Sequence, residues 1–206
     1  PQVCPDHKYS LHAVWAPMEY TFTVDSTSAT GGTAPADFKG TYDNTVTLPA
    51  NNATSAGDPD PLYKTGYHFV GWTNTWTEKD PETGKEVTVT KHYTPNQTVL
   101  LNKANFGITD TNNIIKLTPQ WAQDIIELKL NDNEGTGGQG SIFARYDTGW
   151  YATRADAEEG LPAKKISALT DIPTRTGYVF EGYWSNSGKE ELSAFARSII
   201  NDDPVQ

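Results

Sequence analysis

A seven-residue segment, Thr-Gly-Tyr-x-Phe-x-Gly, occurs twice in this chain, at residues 65–71 and 176–182. A Thr-Gly-Gly begins at Thr30 and recurs at Thr136, so those two sites lie 106 residues apart in the same order. Repetition on this scale predicts two copies of one small folding unit. Duplicated units are typical of proteins that need length or several binding sites, whereas an enzyme needs one unique pocket.

Two short segments that carry a tryptophan mark the limits of the copies. Residues 11–16 match residues 117–122, and the tryptophans Trp15 and Trp121 are again 106 residues apart. Residues 9–15 therefore read as the closing strand of a preceding copy. We predict a leader over residues 1–17, a complete repeat over 18–122, and a second repeat over 123–206 that lacks its own closing strand.

Alternation of apolar and polar residues predicts a strand near the start of each copy, over residues 20–24 and 126–130. We expect the alternating apolar side chains of both strands to face the core: Tyr20, Phe22 and Val24, then Ile126, Leu128 and Leu130. The glycine pair that follows each strand reads as a turn. A phosphate-binding loop would need a helix start and a lysine, and neither follows.

Other local patterns predict a hairpin and short helices. Residues 73–77 and 86–90 flank a polar tip and read as a hairpin. Residues 94–107 read as a short helix that ends at a glycine, and residues 189–200 as its counterpart with a helical apolar stripe. The acidic segment 153–160 is expected to form one helical turn.

The whole pattern resembles the Listeria and Bacteroides repeat, also called the internalin B-repeat, of bacterial surface proteins. In the first copy the matching segments are residues 20–24, 31–32, 46–49, 66–72 and 114–121; in the second they are 126–130, 137–138, 165–169 and 177–183. The residues that carry the motif are Gly66, Tyr67, Phe69, Gly71, Trp72, Trp121, Gly177, Tyr178, Phe180 and Gly182.

That resemblance implies a β-grasp-like fold on an exported, extracellular protein of the bacterial cell surface, often in arrays, and it implies no catalytic residue. Together with the periodicity, it predicts an α+β, strand-dominated chain of tandem small β-grasp-like repeats. Each repeat is expected to be a short sheet with one crossing helix.

Two interpretations of the aromatic residues stay open. The motif aromatics are expected to pack a small core, because large rings bury much apolar area. Trp76, and Trp150 with Tyr151, lie outside the motif. The alternative is an exposed platform in which Trp72, Trp76, or Trp150 with Tyr151, stacks on sugar rings, and Trp76 and Trp150 are the ones expected to be exposed because they lie outside the motif.

Composition argues against several kinds of partner. The net charge is −10 and there is no cluster of lysine and arginine, so nucleic acid is not an expected partner. Long apolar runs are absent, so no membrane span is predicted. The expected partners are neighbouring repeats of the same protein and a host glycan or protein.

The residues that carry chemistry form no complete site in the sequence. Cys4, His7 and His12 supply three zinc ligands where a structural site needs four. Residues 132–135 resemble a calcium loop but lack its closing glutamate. The four histidines have no evident nucleophile partner. We predict no catalytic residue, no metal and no cofactor; a Lys–Asn cross-link stays open, because no spacing selects a pair.

Two functions from different classes follow. The first is a stalk that spaces a binding head away from the cell wall, and the second is a module that itself binds a host ligand. A further expectation concerns the missing closing strand of the second repeat. Because open sheet edges recruit strands, the leader is expected to pair with the last copy of a neighbouring molecule or along an edge of its own chain.

Overall fold

The computed structural model describes residues 10–51, 60–109 and 111–183. The chain packs as two units. The first unit runs to Tyr63 and then takes Phe69–Gln120; the second takes Lys64–His68 and the chain from Trp121 onward. Each unit is described separately below.

Eleven strands and two short α-helices lie in the described residues. In chain order they are β1 (Glu19–Val24), β2 (Phe38–Thr41), β3 (Thr45–Thr47), β4 (Tyr67–Lys79), β5 (Glu86–Tyr93), β6 (Thr98–Leu100), α1 (Lys103–Phe106), β7 (Ile114–Gln123), β8 (Ile125–Lys129), β9 (Ser141–Arg145), β10 (Gly149–Tyr151), α2 (Arg154–Glu159) and β11 (Lys165–Ile166). A 3₁₀ turn over Pro162–Lys164 precedes β11.

The main sheet, centred on the first unit, has the order β2-β1-β7-β4-β5. Strand β1 pairs antiparallel with β2 and parallel with β7, where Thr21 lies opposite Ile114 and Val24 opposite Leu117. Strands β3 and β6 form a separate two-stranded sheet. Because β7 is the middle strand, it joins the β1–β2 pair to the β4–β5 hairpin.

The predicted strand over residues 20–24 is confirmed as β1, and its alternation points into the core. Tyr20 and Phe22 are buried, and the Phe22 ring stacks on Phe38 at 4.6 Å between centroids. The same ring meets Phe106 edge to face at 5.3 Å. Aromatic pairs in these geometries add to the stabilisation that burial provides.

The predicted hairpin is confirmed as β4 and β5, which pair from Trp72 opposite Tyr93 to Lys79 opposite Glu86. At its polar tip the Asp80 carboxylate accepts hydrogen bonds from the backbone amides of Glu82 and Thr83. These hydrogen bonds lower the pKa of Asp80 below its usual value because they stabilise the charged form.

The prediction of one crossing helix per repeat is wrong. Over residues 94–107 the structure has strand β6, which pairs with β3 so that Val99 lies opposite Val46, and the four-residue helix α1. Pairing with β3 buries Val46 and Val99, which lie 53 residues apart in sequence, and so it overrides the local helical pattern. The predicted counterpart over residues 189–200 lies outside the described residues.

The second unit holds a four-stranded sheet in the order β11-β10-β9-β8. Leu130, Ile142 and Trp150 form its buried cluster. The expected helical turn is present as α2, where the Thr153 hydroxyl accepts from the Asp156 amide and Gly160 ends the helix with a positive φ of 67°. No helix among the described residues is long and apolar enough to cross a membrane.

Three expectations differ from the structure. Ile126 is 59% exposed rather than core-facing, and Leu128 is only partly buried. Residues 10–18 form no strand, and Leu11, Val14 and Trp15 are almost fully exposed. Residues 175–183 also form no strand, although the first copy of the same motif lies in β4.

Candidate functional site

Trp150 and Tyr151 do not form an exposed platform, so this prediction is wrong. Both lie on β10, between β9 and β11, where Trp150 is 8% and Tyr151 0% exposed. Trp150 packs with Leu130 and Ile142 in the buried cluster of the second unit, and its location outside the repeat motif gave no sign of that. Both rings therefore serve the core of the second unit.

Trp76 is the one member of the predicted platform that stays partly exposed. Its indole nitrogen donates to the Glu78 carboxylate at 3.0 Å. Its ring also covers Gly107, where an added Cβ would lie 2.1 Å from the indole. One side of this ring therefore packs on the end of α1.

The first copy of the motif is built into β4. Trp72 is fully buried, its indole nitrogen donates to the Pro49 carbonyl at 2.7 Å, and its ring meets Phe69 edge to face. Gly71 has a φ of 153°, and an added Cβ there would lie 2.2 Å from the Tyr93 carbonyl oxygen. Only glycine allows the two strands to approach so closely. Trp121, on β7, is half-buried.

Gly66 and Tyr67 of this motif belong to the second unit. An added Cβ at Gly66 would lie 2.2 Å from the Tyr146 ring, and its positive φ of 75° also favours glycine. The Tyr67 ring meets Tyr146 edge to face at 5.6 Å and carries the Lys64 ammonium 4.1 Å from its centroid.

The second copy of the motif lies on the surface of the second unit. Tyr178 is 67% and Val179 88% exposed, while Phe180 meets Tyr183 edge to face at 5.1 Å. The glycines Gly177 and Gly182 both have positive φ, and an added Cβ at Gly177 would meet nothing within 4 Å.

A cavity of about 410 Å³ lies beside this segment. Its wall combines polar and aromatic groups, including Asn131, Asp132, Arg175 and Tyr178. The Arg175 guanidinium lies over the Tyr178 ring at 4.4 Å and also pairs with the Glu134 carboxylate at 2.7 Å. Burial raises the pKa of Tyr183, another wall residue, and nearby acidic side chains raise it further.

A histidine and a carboxylate that the sequence did not connect come together in the second unit. His68 Nδ1 lies 2.8 Å from the Asp124 carboxylate, at a cavity of about 670 Å³ that Arg145 and Arg154 also line. The residues around this cavity include no serine, threonine or cysteine.

The described structure adds no further ligand to the zinc or the calcium site that the sequence suggested. Residues 132–135 form a turn in which the Gly135 amide donates to the Asp132 carbonyl, and the Glu134 carboxylate pairs with Arg175. His12 is exposed and contacts Ser10, while Cys4 and His7 lie outside the described residues. No group of three potential ligands forms within the part of the chain that the structure describes.

The structure likewise selects no partners for a Lys–Asn cross-link. Asn74 is buried, and its side-chain amide donates to the Lys116 carbonyl at 3.0 Å. The Lys116 ammonium instead pairs with the Asp25 carboxylate at 2.7 Å and is largely exposed. The buried amide and the lysine amine therefore engage different partners.

Among the described residues, no strand lies on the β8 edge of the second unit's sheet. Strand β8 pairs with β9 on one side, and no described residue pairs with its other side. In the first unit the matching strand β1 has neighbours on both sides, β2 and β7. This difference leaves β8 as an edge that offers backbone hydrogen-bonding groups.

No family model, curated protein or solved structure matches this chain.

Proposed function

We propose that this chain is a non-enzymatic repeat region of an exported bacterial cell-surface protein, and that it acts as a stalk that spaces a binding head from the cell wall. The sequence resemblance supports a location on the bacterial cell surface, and the repetition supports a role as a spacer. The parallel pairing of β1 with β7 is the observation that carries the proposal.

This pairing sets where the chain begins and ends in the first unit. Strand β1 starts at Glu19, and the chain leaves the first unit beyond Gln120 on β7. Because the two strands are parallel neighbours, the start and the end lie at opposite ends of the pair. At about 3.3 Å per residue, the offset along the strands is roughly 26 Å. A unit connected in this way adds length.

The same pairing determines how the unit carries tension. A pull on the two ends of the unit is directed along β1 and β7, so it loads their hydrogen bonds together. By contrast, a hairpin that is pulled apart from its open end loses its hydrogen bonds one after another. Shear loading of this kind suits a stalk that must hold under force.

Single-molecule force spectroscopy on the full chain tests the stalk. With handles at both ends, we expect the first unit to yield in one discrete event. Its length gain should be roughly 300 Å, because about 100 residues become extended. Handles attached through Thr75→Cys and Thr90→Cys, with Cys4→Ser, should unzip the β4–β5 hairpin from that pair toward its turn at a much lower force. Gradual extension without a discrete event in the end-to-end geometry would contradict the stalk.

A second candidate is the binding module, in which the cavity beside Tyr178 contacts a host glycan. Its volume of about 410 Å³ falls in the range of small-ligand sites. An exposed tyrosine next to Asn131 and Asp132 offers both a stacking face and hydrogen-bonding groups to a sugar.

A glycan panel tests this second candidate. Saturable binding that is lost in Tyr178→Ala but kept in Tyr63→Ala would favour the module. Tyr63 is the control because it is also exposed but belongs to the first unit. Trp76→Ala in parallel tests the remaining member of the predicted platform. If the folded protein binds no glycan on the panel, the glycan form of this candidate is rejected.

A further inference from the structure

We infer that the outer edge of β5 pairs with the same edge of a second copy of this chain, antiparallel and about a two-fold axis at Val89. In this register Thr88 lies opposite Thr90 of the second copy, and Glu86 lies opposite His92 of the second copy. The interaction goes beyond the spacer function, and neither proposal depends on the other.

Strand β5 forms one edge of the five-stranded sheet, with β4 before it and β6 after it in the chain. Its only partner among the described strands of that sheet is β4. The strand is eight residues long, contains no proline or glycine, and is exposed from Glu86 to His92 except at the partly buried Val89. Long, uninterrupted edges of this kind recruit another strand.

The contacts with β4 show which backbone groups of β5 face outward. The Asp80 amide donates to the Lys85 carbonyl at 2.8 Å, so this carbonyl is directed at the first strand of the hairpin. An added Cβ at Gly71 would lie 2.2 Å from the Tyr93 carbonyl oxygen, so that carbonyl is also directed at β4. Because the direction alternates along a strand, residues 86, 88, 90 and 92 direct their amides and carbonyls away from β4.

An axis at Val89 sets each of these four residues opposite another of the four. Glu86 then pairs with His92, and Thr88 with Thr90, and the symmetry makes each pair occur twice. The contact would therefore add about eight backbone hydrogen bonds. Because the match relates the strand to itself, the partner that it fits is a second copy of this chain.

Neighbouring registers fit this edge less well. An axis at Thr88 would set Lys85 opposite Lys91, and like charges directly opposite each other are destabilising. An axis at Thr90 would set Glu86 opposite Thr94, which lies beyond the end of β5. The axis at Val89 avoids both faults.

The polar face of β5 also favours this register. The Thr75 and Thr90 hydroxyls already share a hydrogen bond at 3.0 Å across β4 and β5, and Thr88 of the second copy would extend that row. The Glu86 carboxylate would meet the His92 imidazole of the second copy, which can donate a hydrogen bond to it. Cross-strand pairs of these kinds stabilise a sheet.

The apolar face of β5 gains cover in the same arrangement. Val89 lies opposite Trp76 on β4 and would meet Val89 of the second copy on its other side. Val87, which is 38% exposed, would lie opposite Lys91 of the second copy. Pairing would therefore remove apolar surface from water beside the partly exposed Trp76 ring.

Analytical ultracentrifugation of the full chain tests the association. We expect the average mass to rise with concentration toward that of a dimer, because one two-fold contact closes the pair. Thr88→Pro should weaken association by roughly tenfold or more, because it removes an outward amide and leaves the bonds to β4 in place. Thr88→Ala is the matched control, since it removes the hydroxyl but keeps that amide, and it should still dimerise. A monomer at every concentration, or equal dimerisation of a folded Thr88→Pro, would overturn the inference.

Cysteine cross-linking tests the register and decides the question if Thr88→Pro does not fold. With Cys4→Ser, Val89→Cys should form a disulfide-linked dimer under mild oxidation, because residue 89 faces itself at a pair without backbone hydrogen bonds, where side chains approach most closely. Val87→Cys, on the same face but opposite Lys91, is the matched control and should cross-link far less. Equal yields at the two positions, or no cross-link at Val89→Cys, would overturn the inference.

Discussion

The two copies of the seven-residue motif have different structures. In the first copy the segment continues into Trp72 on β4, where that ring is fully buried. In the second copy the segment forms no strand, and Tyr178 and Val179 are mostly exposed. The local sequence is nearly the same, so the difference must come from what surrounds it.

The strand that contains the first copy, β4, lies between β7 and β5 in the main sheet. Strand β7 also covers β1, whereas the matching strand β8 has an uncovered side among the described residues. The comparison teaches that the motif supplies a sequence able to form a strand, and that in the first copy this strand lies beside β7. Strand formation here depends on pairing partners that are distant in the sequence.

The largest expected effect comes from the position that follows the motif. Trp72→Ala should destabilise the first unit by about 3–5 kcal/mol, because it empties a buried aromatic site. The matching change Tyr183→Ala should destabilise the second unit by only about 1–2 kcal/mol, since that ring is partly buried. Urea unfolding followed by hydrogen exchange in each unit measures both. Equal losses would contradict the difference between the copies.

The glycines of the two motifs should differ less strongly. Gly177→Ala should cost about 1 kcal/mol, because its positive φ strains an alanine while nothing obstructs the added Cβ. Gly66→Ala should cost about 2–4 kcal/mol, because its Cβ would also displace the Tyr146 ring. Thermal unfolding of the two variants compares them directly. Similar melting temperatures would show that Tyr146 moves aside freely.

The motif tyrosines should show a smaller contrast. Tyr67→Ala should destabilise the protein by about 1–2 kcal/mol, since it removes the contact with Tyr146 and the Lys64 interaction. Tyr178→Ala should change stability by about 0.5 kcal/mol or less, because the ring is mostly exposed. Denaturant midpoints measure both. A large effect of Tyr178→Ala would mean that the second motif is packed in solution.

The smallest effect should depend on pH. The Lys116 ammonium, with hydrogen bonds from Thr27, lowers the pKa of the Asp25 carboxyl well below its usual value. Because the folded state then binds fewer protons, this carboxylate stabilises the first unit above about pH 4 and loses that effect on acidification.

Asp25→Asn gives this position the residue that the second copy has, Asn131. We expect it to reduce stability at neutral pH and to have progressively less effect in acid. Unfolding curves at several pH values measure this trend. Glu19→Gln, which breaks the exposed pair with Lys39, is the control and should change little. A pH-independent loss in Asp25→Asn would contradict the role of the carboxylate.

Sequence patterns predicted the elements in which local alternation and final environment agree. Strand β1 and the β4–β5 hairpin alternate clearly, and α2 has both of its caps in the sequence. The sequence patterns gave wrong predictions where pairing with a strand that is distant in the sequence determines the structure. Val99 fits a helix by its spacing, yet the chain around it pairs with β3.

The candidate sites were harder to predict than the strands for the same reason. Trp150 gave no sign of burial, because the buried residues that pack with it, Leu130 and Ile142, lie 20 and 8 residues earlier in the sequence. His68 and Asp124 are 56 residues apart and meet only in the folded chain. The identities of these two residues did not indicate that their side chains would form a pair. A pairing of residues 66–72 with residues 114–121 would have suggested that they lie close together.

The central place of β7 also sets when the first unit can fold. Thr21 pairs with Ile114, which lies 93 residues later in the chain, so the sheet gains its middle strand only after Ile114 is present. Contacts this distant in sequence make folding slow, because a long loop must close first. A chain that emerges from its N-terminal end can therefore form the β1–β2 pair and the β4–β5 hairpin early, but it can assemble the five-stranded sheet only after nearly the whole repeat is present. The repeat folds when its last strand arrives.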